Sequence, residues 1–445
     1  VSAATPSVRT GSAELLLELY DAAIAAAAPD AVTARAVDAI EIDRASRIWV
    51  FAFGKAAAPM AAAAVASLLK GLHSIVGGVI VSPDAVTPAY PTLLSMRGDH
   101  PIPGQHSFAA AAKIAEVTSG RRGNDVAIVL MSGGASSLIG APLRGMSEAD
   151  FTALCELLLG SGLDITATNA VRKRFSRWGA GRLALALAPA ATHCLAISDV
   201  PNDDLSVIGS GPCVPDTTTV KEVTSILERA NLLSRIPETH RAYLAGISRG
   251  TTPETPTAAH PAFAHVTARV IGNTRLAVDG AANAARSHSL TVEVVPERLS
   301  GEAARAGEAI ARELLAIRAR GVTGLCRVWG GETSVTLAAN SGASASGGGR
   351  CQELALAAAR VLQGAGENAA GIALLAAGTD GRDGATDAAG AIVDSSTWAD
   401  IAAAGRDPGH ALASHESYSA LQAANAVIPR RVTGTNVNDV VIGLV

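Results

Sequence analysis

Aromatic residues make up only 3% of this 445-residue chain. So few rings leave little surface on which bases could stack. The formal net charge of −4 supplies no basic footprint for nucleic acid. The five cysteines, Cys155, Cys194, Cys213, Cys326 and Cys351, form no CxxC pair and no metal-type spacing. Their odd number and mostly apolar neighbours argue for reduced thiols. The ten histidines are scattered, none at ligand spacing. The longest alanine-rich run, residues 22–28, is far too short to span a membrane. No basic region leading into an apolar core opens the chain, so no signal peptide is expected. Two nucleotide fingerprints are missing as well. GxxxxGK[ST] is absent, no GxGxxG follows the first strand, and no acidic residue ends a second strand at the right spacing. These absences lead us to expect a cytoplasmic protein with neither a nucleic-acid nor a membrane partner.

What is present is apolar content of 49%, ample for burial, in a chain longer than one core usually holds. Helical spacing predicts a helix over 13–28, a buried strand over 48–53, and a helix over 56–70. Short strands are expected at 76–81 and 93–96, a helix at 107–118, and strands at 125–130 and 192–197. Ser147, with Asp150 three residues on, predicts a helix start. Proline and threonine concentrate at 250–262 and suggest a linker. Two domains are therefore expected, 1–250 and 262–445. In the second, strands are expected at 266–271, 291–295 and 372–377. Helices are expected at 274–287, 302–318 and 351–362, and a hairpin at 324–329 with 334–337. Alternating strands and helices imply a largely parallel sheet in each half. There is no fixed-period repeat, and the low-complexity stretch 340–349 reads as a loop.

Five apolar runs each end in a loop bearing Gly, Asp or Lys, where α/β proteins bind ligands. The richest is 375–387. Its Thr379, Asp380, Asp383, Thr386 and Asp387 suit a metal-phosphate or a polyol, and Asp203, Asp204 and Asp383 are candidate metal ligands. Gly54-Lys55 sits where a strand gives way to a helix, so Lys55 opposes the helix dipole unless it serves an anion. Ser132, Gly133, Gly134, Ala135 and Ser136 form a phosphate-type nest or else a plain tight turn. Asp199 follows a strand and suits a base or a metal contact, or mere turn chemistry. Arg350, after three glycines and before a helix, offers a bidentate fork to a carboxylate or phosphate. The 434–439 segment, with Asn436, reads as a ligand loop or a turn, and His100 lies on a proline-stiffened loop.

Taken in order, FGKAA, GDHPIPG, SGGASSL, NAVRK, SDVPNDDLSVIGSGP, GGETSVT, GGGRCQELAL, AAGTDGRDGATDAAG and TGTNVND resemble the class II glycerate 2-kinases, whose C-terminal part is called MOFRL. The resemblance implies an α/β protein of two domains. The N-terminal domain would carry a Rossmann-like, mostly parallel sheet, and the active site would lie in the interdomain cleft. It implies ATP and Mg²⁺, a small-molecule substrate such as D-glycerate, and a homodimer as an option. Many relatives are also labelled hydroxypyruvate reductases. By motif, Lys55, Asp199 and Arg350 would be catalytic, Ser132 to Ser136 and Asp380 would bind nucleotide, and His100, Glu332 and Asn436 would bind substrate. The chain departs from the family pattern at Cys351, Arg174, Gly179, Arg430 and Arg431. These changes imply an altered charge around the substrate and leave a different sugar acid open.

Overall fold

The computed structural model describes residues 8–84, 86–337 and 347–445. The low-complexity loop expected at 340–349 lies outside them up to residue 346. The chain divides into two compact units, one of residues 29–272 and one of 1–28 with 273–445.

The 29–272 unit holds six strands: β1 (Arg47–Phe53), β2 (Ser74–Ser82), β3 (Leu93–Arg97), β4 (Asp125–Met131), β5 (Ala191–Ile197) and β6 (Val266–Gly272). Every pairing is parallel, in the order β3-β2-β1-β4-β5-β6. The reason is visible in β4, whose seven residues are all buried. A strand without a polar face needs cover on both sides, and crossover helices supply it. This is the strand order of doubly wound dinucleotide-binding folds, and it reverses direction between β1 and β4. At that switch point the carboxyl ends of two strands open a crevice. β1 ends at Gly54-Lys55, and β4 ends at Ser132-Gly133-Gly134.

Among the described residues the other unit has six strands in a mixed sheet: β7 (Thr291–Val294), β8 (Leu325–Gly331), β9 (Ala373–Gly378), β10 (Ala388–Asp394), β11 (Val427–Pro429) and β12 (Asp439–Leu444). Their order is β11-β10-β9-β12-β8-β7, and only the β7/β8 pairing is parallel. The expected parallel sheet in this half is thus corrected. The last six-residue strand returns between β8 and β9 and runs against both. The expected hairpin at 324–337 is also absent. β8 pairs with β7 and β12, while Ser334 makes an isolated bridge with Glu302.

Two boundaries differ from the sequence expectation. The 250–262 segment lies inside the first unit, where buried Thr255 donates to Asp216 at 2.9 Å and Pro256 accepts from the Asp216 amide. The N-terminal helix Val8–Ala26 belongs with the C-terminal residues. Its Tyr20 hydroxyl donates to the Gly378 carbonyl at 2.5 Å, and the Ala27 carbonyl accepts from Thr435. Burial pushes the Tyr20 hydroxyl's pKa up, so it stays protonated as a donor. Among the described residues no helix is long and apolar enough to cross a membrane.

Candidate functional site

Lys55 is the residue at which β1 meets the helix Ala57–Lys70. Its amide donates to the Gly133 carbonyl at 2.9 Å, which locks the β1 and β4 loops together. Ser132 adds a second tie by accepting from the Ala56 amide at 3.0 Å. Its hydroxyl oxygen is thus already engaged by a backbone amide just before that helix, although the O–H proton stays available. Gly133 is there because a Cβ would collide with the Asp199 carboxylate. Gly134 adopts φ +86°, and a Cβ on it would lie 3.0 Å from the His100 ring and 3.5 Å from the Lys55 stem. Those contacts place Lys55, His100, the 132–136 loop and Asp199 around one crevice.

Charge in the crevice is lopsided. Burial pushes the His100 pKa down, and the neighbouring Lys55 and Arg172 charges push it further. The imidazole is held neutral between two cations. No carboxylate among the described residues lies within ion-pair distance of Lys55 or Arg172. Asp199 is half-buried, and Asp203 is likewise partly covered. Asp204 is exposed and accepts from the Ser206 amide at 2.8 Å, an Asx-type turn.

Sequence reasoning gave no role to three residues found here. The Ser210 hydroxyl lies 2.9 Å from the Ser136 hydroxyl and 3.3 Å from the Asn169 side-chain oxygen, which also accepts from Arg172. Asn169 and Arg172 are three apart on the helix Ile165–Phe175 and so share a face. That i,i+3 pair within NAVRK was the available signal.

The C-terminal unit gathers a second set of predicted residues at the ends of β8 and β9 and the start of β12. Arg350 opens the helix Arg350–Gly364. Its fork grips buried Asp439 with Nε at 2.6 Å and Nη2 at 2.9 Å, and Nη1 meets Glu332 at 2.7 Å. The guanidinium expected to await a ligand is thus engaged by two carboxylates. Asp383 corrects another expectation. It is 3% exposed, and its two oxygens accept from the Cys351 and Gln352 amides at 3.1 and 2.8 Å. The helix start that was to face a phosphate is capped by Asp383, which is not presented to a metal. Burial holds its pKa up at about 6, against the pull of those two amides. Among the described residues no three His, Cys, Asp or Glu side chains are arranged to hold an ion.

The 375–387 loop is likewise largely satisfied by the protein. Thr379 donates to the Asn438 carbonyl and accepts from Val437, Thr386 donates to the Asp383 carbonyl, and Asp380 accepts from the Arg382 amide. Asn436 accepts from the Asn438 amide at 3.4 Å.

The departures from the family pattern also have structural explanations. Arg174 is fully buried and pairs with Glu254 and, at 3.7 Å, with Asp216, which Lys173 contacts at 2.8 Å. Arg174 therefore adds no charge to the crevice. Arg430 lies 3.9 Å from Asp387, and Arg431 pairs with Asp21 above the Tyr20 ring. A Cβ on Gly179 would lie 3.2 Å from the Ser210 carbonyl and 3.3 Å from Lys173, so a larger residue there would be crowded.

Comparison with known proteins matches residues 15–245 to a family described as a domain of unknown function (DUF4147), and residues 325–439 to the MOFRL family. The chain is similar to the D-glycerate 2-kinase of Thermotoga maritima, 34% identical over 97% of this chain and 98% of that protein. It is also similar to an Agrobacterium vitis protein carrying a provisional hydroxypyruvate reductase name, 36% identical over 96% of this chain and 93% of that one. The crystal structure of a Thermotoga maritima glycerate kinase superposes with a TM-score of 0.85 at 34% identity, covering 97% of this chain and 99% of that one.

Proposed function

Because the chain belongs to the glycerate 2-kinase family, whose C-terminal part is the MOFRL domain, we propose that it transfers the γ-phosphoryl group of ATP to the 2-hydroxyl of D-glycerate. The observation that carries this reading is the crevice at the β1/β4 switch point, with two cations that have no carboxylate partner among the described residues and one half-buried aspartate. In phosphoryl transfer a protein chiefly positions groups and neutralises charge. Lys55 lies against the glycine loop and would neutralise the transferring group. The loop's glycines let backbone amides approach phosphate oxygens. Asp199 would accept the hydroxyl proton while the substrate oxygen bonds to phosphorus and the bond to the ADP oxygen breaks. Mg²⁺ is commonly held by one or two carboxylates together with substrate phosphates, where it offsets their negative charge. Asp203, on the same loop as Asp199, has the donor chemistry for that role. A cytosolic setting belongs to the same reading and is supported by five free, buried cysteines.

The reductase name carried by some relatives finds partial support in the strand order alone, since Asp84 lies two residues beyond β2 and off the spacing of the dinucleotide fingerprint. Against it, β1 passes into its helix through Gly54 and Lys55, without the three glycines that let a pyrophosphate approach. The test is direct. Purified protein with MgATP and D-glycerate should release ADP and form 2-phosphoglycerate. NADPH oxidation with hydroxypyruvate, without ADP release, would overturn the proposal; 3-phosphoglycerate would correct only the position of attack.

A further inference from the structure

Arg172, Lys173 and Arg174 are consecutive on the last turn of the helix Ile165–Phe175, yet their surroundings differ. Lys173 has Asp216 at 2.8 Å, and Arg174 has Glu254 and Asp216. Nearby Arg182 is also satisfied, donating to the carbonyls of Lys173, Ser176 and Gly179 through Nη1 and of Arg174 through Nη2. Arg172 alone of the three has no carboxylate among the described residues. Among the described residues its side chain donates to the neutral Asn169 amide, and its Nε is buried without a partner. The other titratable group that faces it closely is the Cys155 thiol, which burial pushes up to about 11 and so keeps neutral.

A half-buried guanidinium without a counter-ion is still costly, and proteins normally pair such a charge. The Asn169 acceptor of Arg172 is linked through Ser210 to Ser136 of the glycine loop, and the Arg172 charge reaches His100. Arg350, the other candidate for a carboxylate fork, is already engaged by Asp439 and Glu332. We propose that Arg172 binds the carboxylate of a small 2-hydroxy acid and is the main determinant of acid recognition in the crevice. The identity of that acid as D-glycerate rests on the kinase reading above; the anion-binding role rests on the geometry of Arg172. The planar fork matches a carboxylate through two parallel bonds, whereas a lysine offers only a point charge.

The full chain is titrated calorimetrically with D-glycerate and with its uncharged amide, glyceramide, and assayed with MgATP. D-glycerate should bind and glyceramide should not. Arg172→Lys should raise KM for D-glycerate about 10-fold or more, the scale of one lost bidentate contact, and leave KM for ATP within about twofold. Arg172→Met should abolish calorimetric binding of D-glycerate with little change in melting temperature. A rise in KM for ATP instead would show that the anion is a phosphate and overturn the proposal. Unchanged constants with a lowered melting temperature would reduce Arg172 to a helix-end residue. If either variant fails to fold, the wild type still decides, because equal binding of glyceramide and D-glycerate sinks the idea. Should the wild type not phosphorylate D-glycerate, the kinase reading falls on its own. Titration with D-glycerate, lactate and tartrate would then still test Arg172, and no binding of any of them would overturn its role.

Discussion

At the scale of single residues, the two cations first picked out by motif behave differently because their partners differ. Lys55 is exposed at the crevice and has no carboxylate partner among the described residues. Lys55→Ala should therefore lower kcat by roughly 10²-fold, the scale for losing one charge-stabilising donor. Melting temperature should hardly move, since removing an exposed lysine touches no core contact. Unchanged turnover would return Lys55 to the ordinary surface. Arg350 is different. It carries both oxygens of Asp439, which is 2% exposed. Arg350→Lys keeps the charge but loses the fork, so kcat and stability should fall together. The stability loss should be about 1.5–3 kcal/mol, the range for hydrogen bonds to charged groups. Denaturant titration beside the assay would check this, and a fall in kcat with no loss of stability would mean that the Asp439 clamp contributes nothing to folding.

Secondary-structure elements carry a pH dependence of their own. The helix Glu238–Ser248 buries His240 completely against the Phe175 ring, with centroids 4.5 Å apart. Burial lowers the His240 pKa from 6.5 to about 4, so the native state holds it neutral. Between those values the unfolded chain binds more protons than the folded one, and stability must fall as pH drops through that window. For this group alone the loss by pH 5 is of the order of 2 kcal/mol. His240→Phe should flatten the dependence between pH 7 and 5, measured by chemical denaturation. An identical pH slope in the variant would show that His240 is not the titrating group. Asp383 works in the opposite sense. Its raised pKa gives a contribution present below the unfolded value and lost as pH rises through about 6, so the variant comparison, rather than the raw slope, isolates His240.

For the molecule as a whole, the division into units yields a separate prediction. A fragment of residues 29–272 contains all six parallel strands and both sides of the β1/β4 crevice, and should fold cooperatively by itself. A fragment of 273–445 lacks the helix Val8–Ala26, whose Ala22 and Ala26 meet Gly280 and whose Tyr20 holds Gly378. It should bind hydrophobic dye and lose its sharp unfolding transition, and adding residues 1–28 in trans or by fusion should restore it. A 273–445 fragment as cooperative as the full chain would show that the helix is dispensable. Periodicity made most elements legible in the sequence: β1, β4, β5 and the helices at 57–70, 274–287 and 350–364 lie within a few residues of expectation, because their apolar patterns are local. The order of loops along the chain likewise carried the family. Sequence alone also put Lys55, Asp199 and the glycine loop on strand ends, since Gly, Asp and Lys after an apolar run have a local meaning. Only the tertiary structure decided which charges remain unpaired. Arg172 and Arg174 are near neighbours on one helix, yet Asp216 and Glu254 come to Arg174 from more than 40 residues away in the chain. It also decided that Asp383 caps a helix and that the chain's first helix joins its last strands. Each of these is a contact between distant segments, and pairing over such separations leaves no periodic trace in either segment alone.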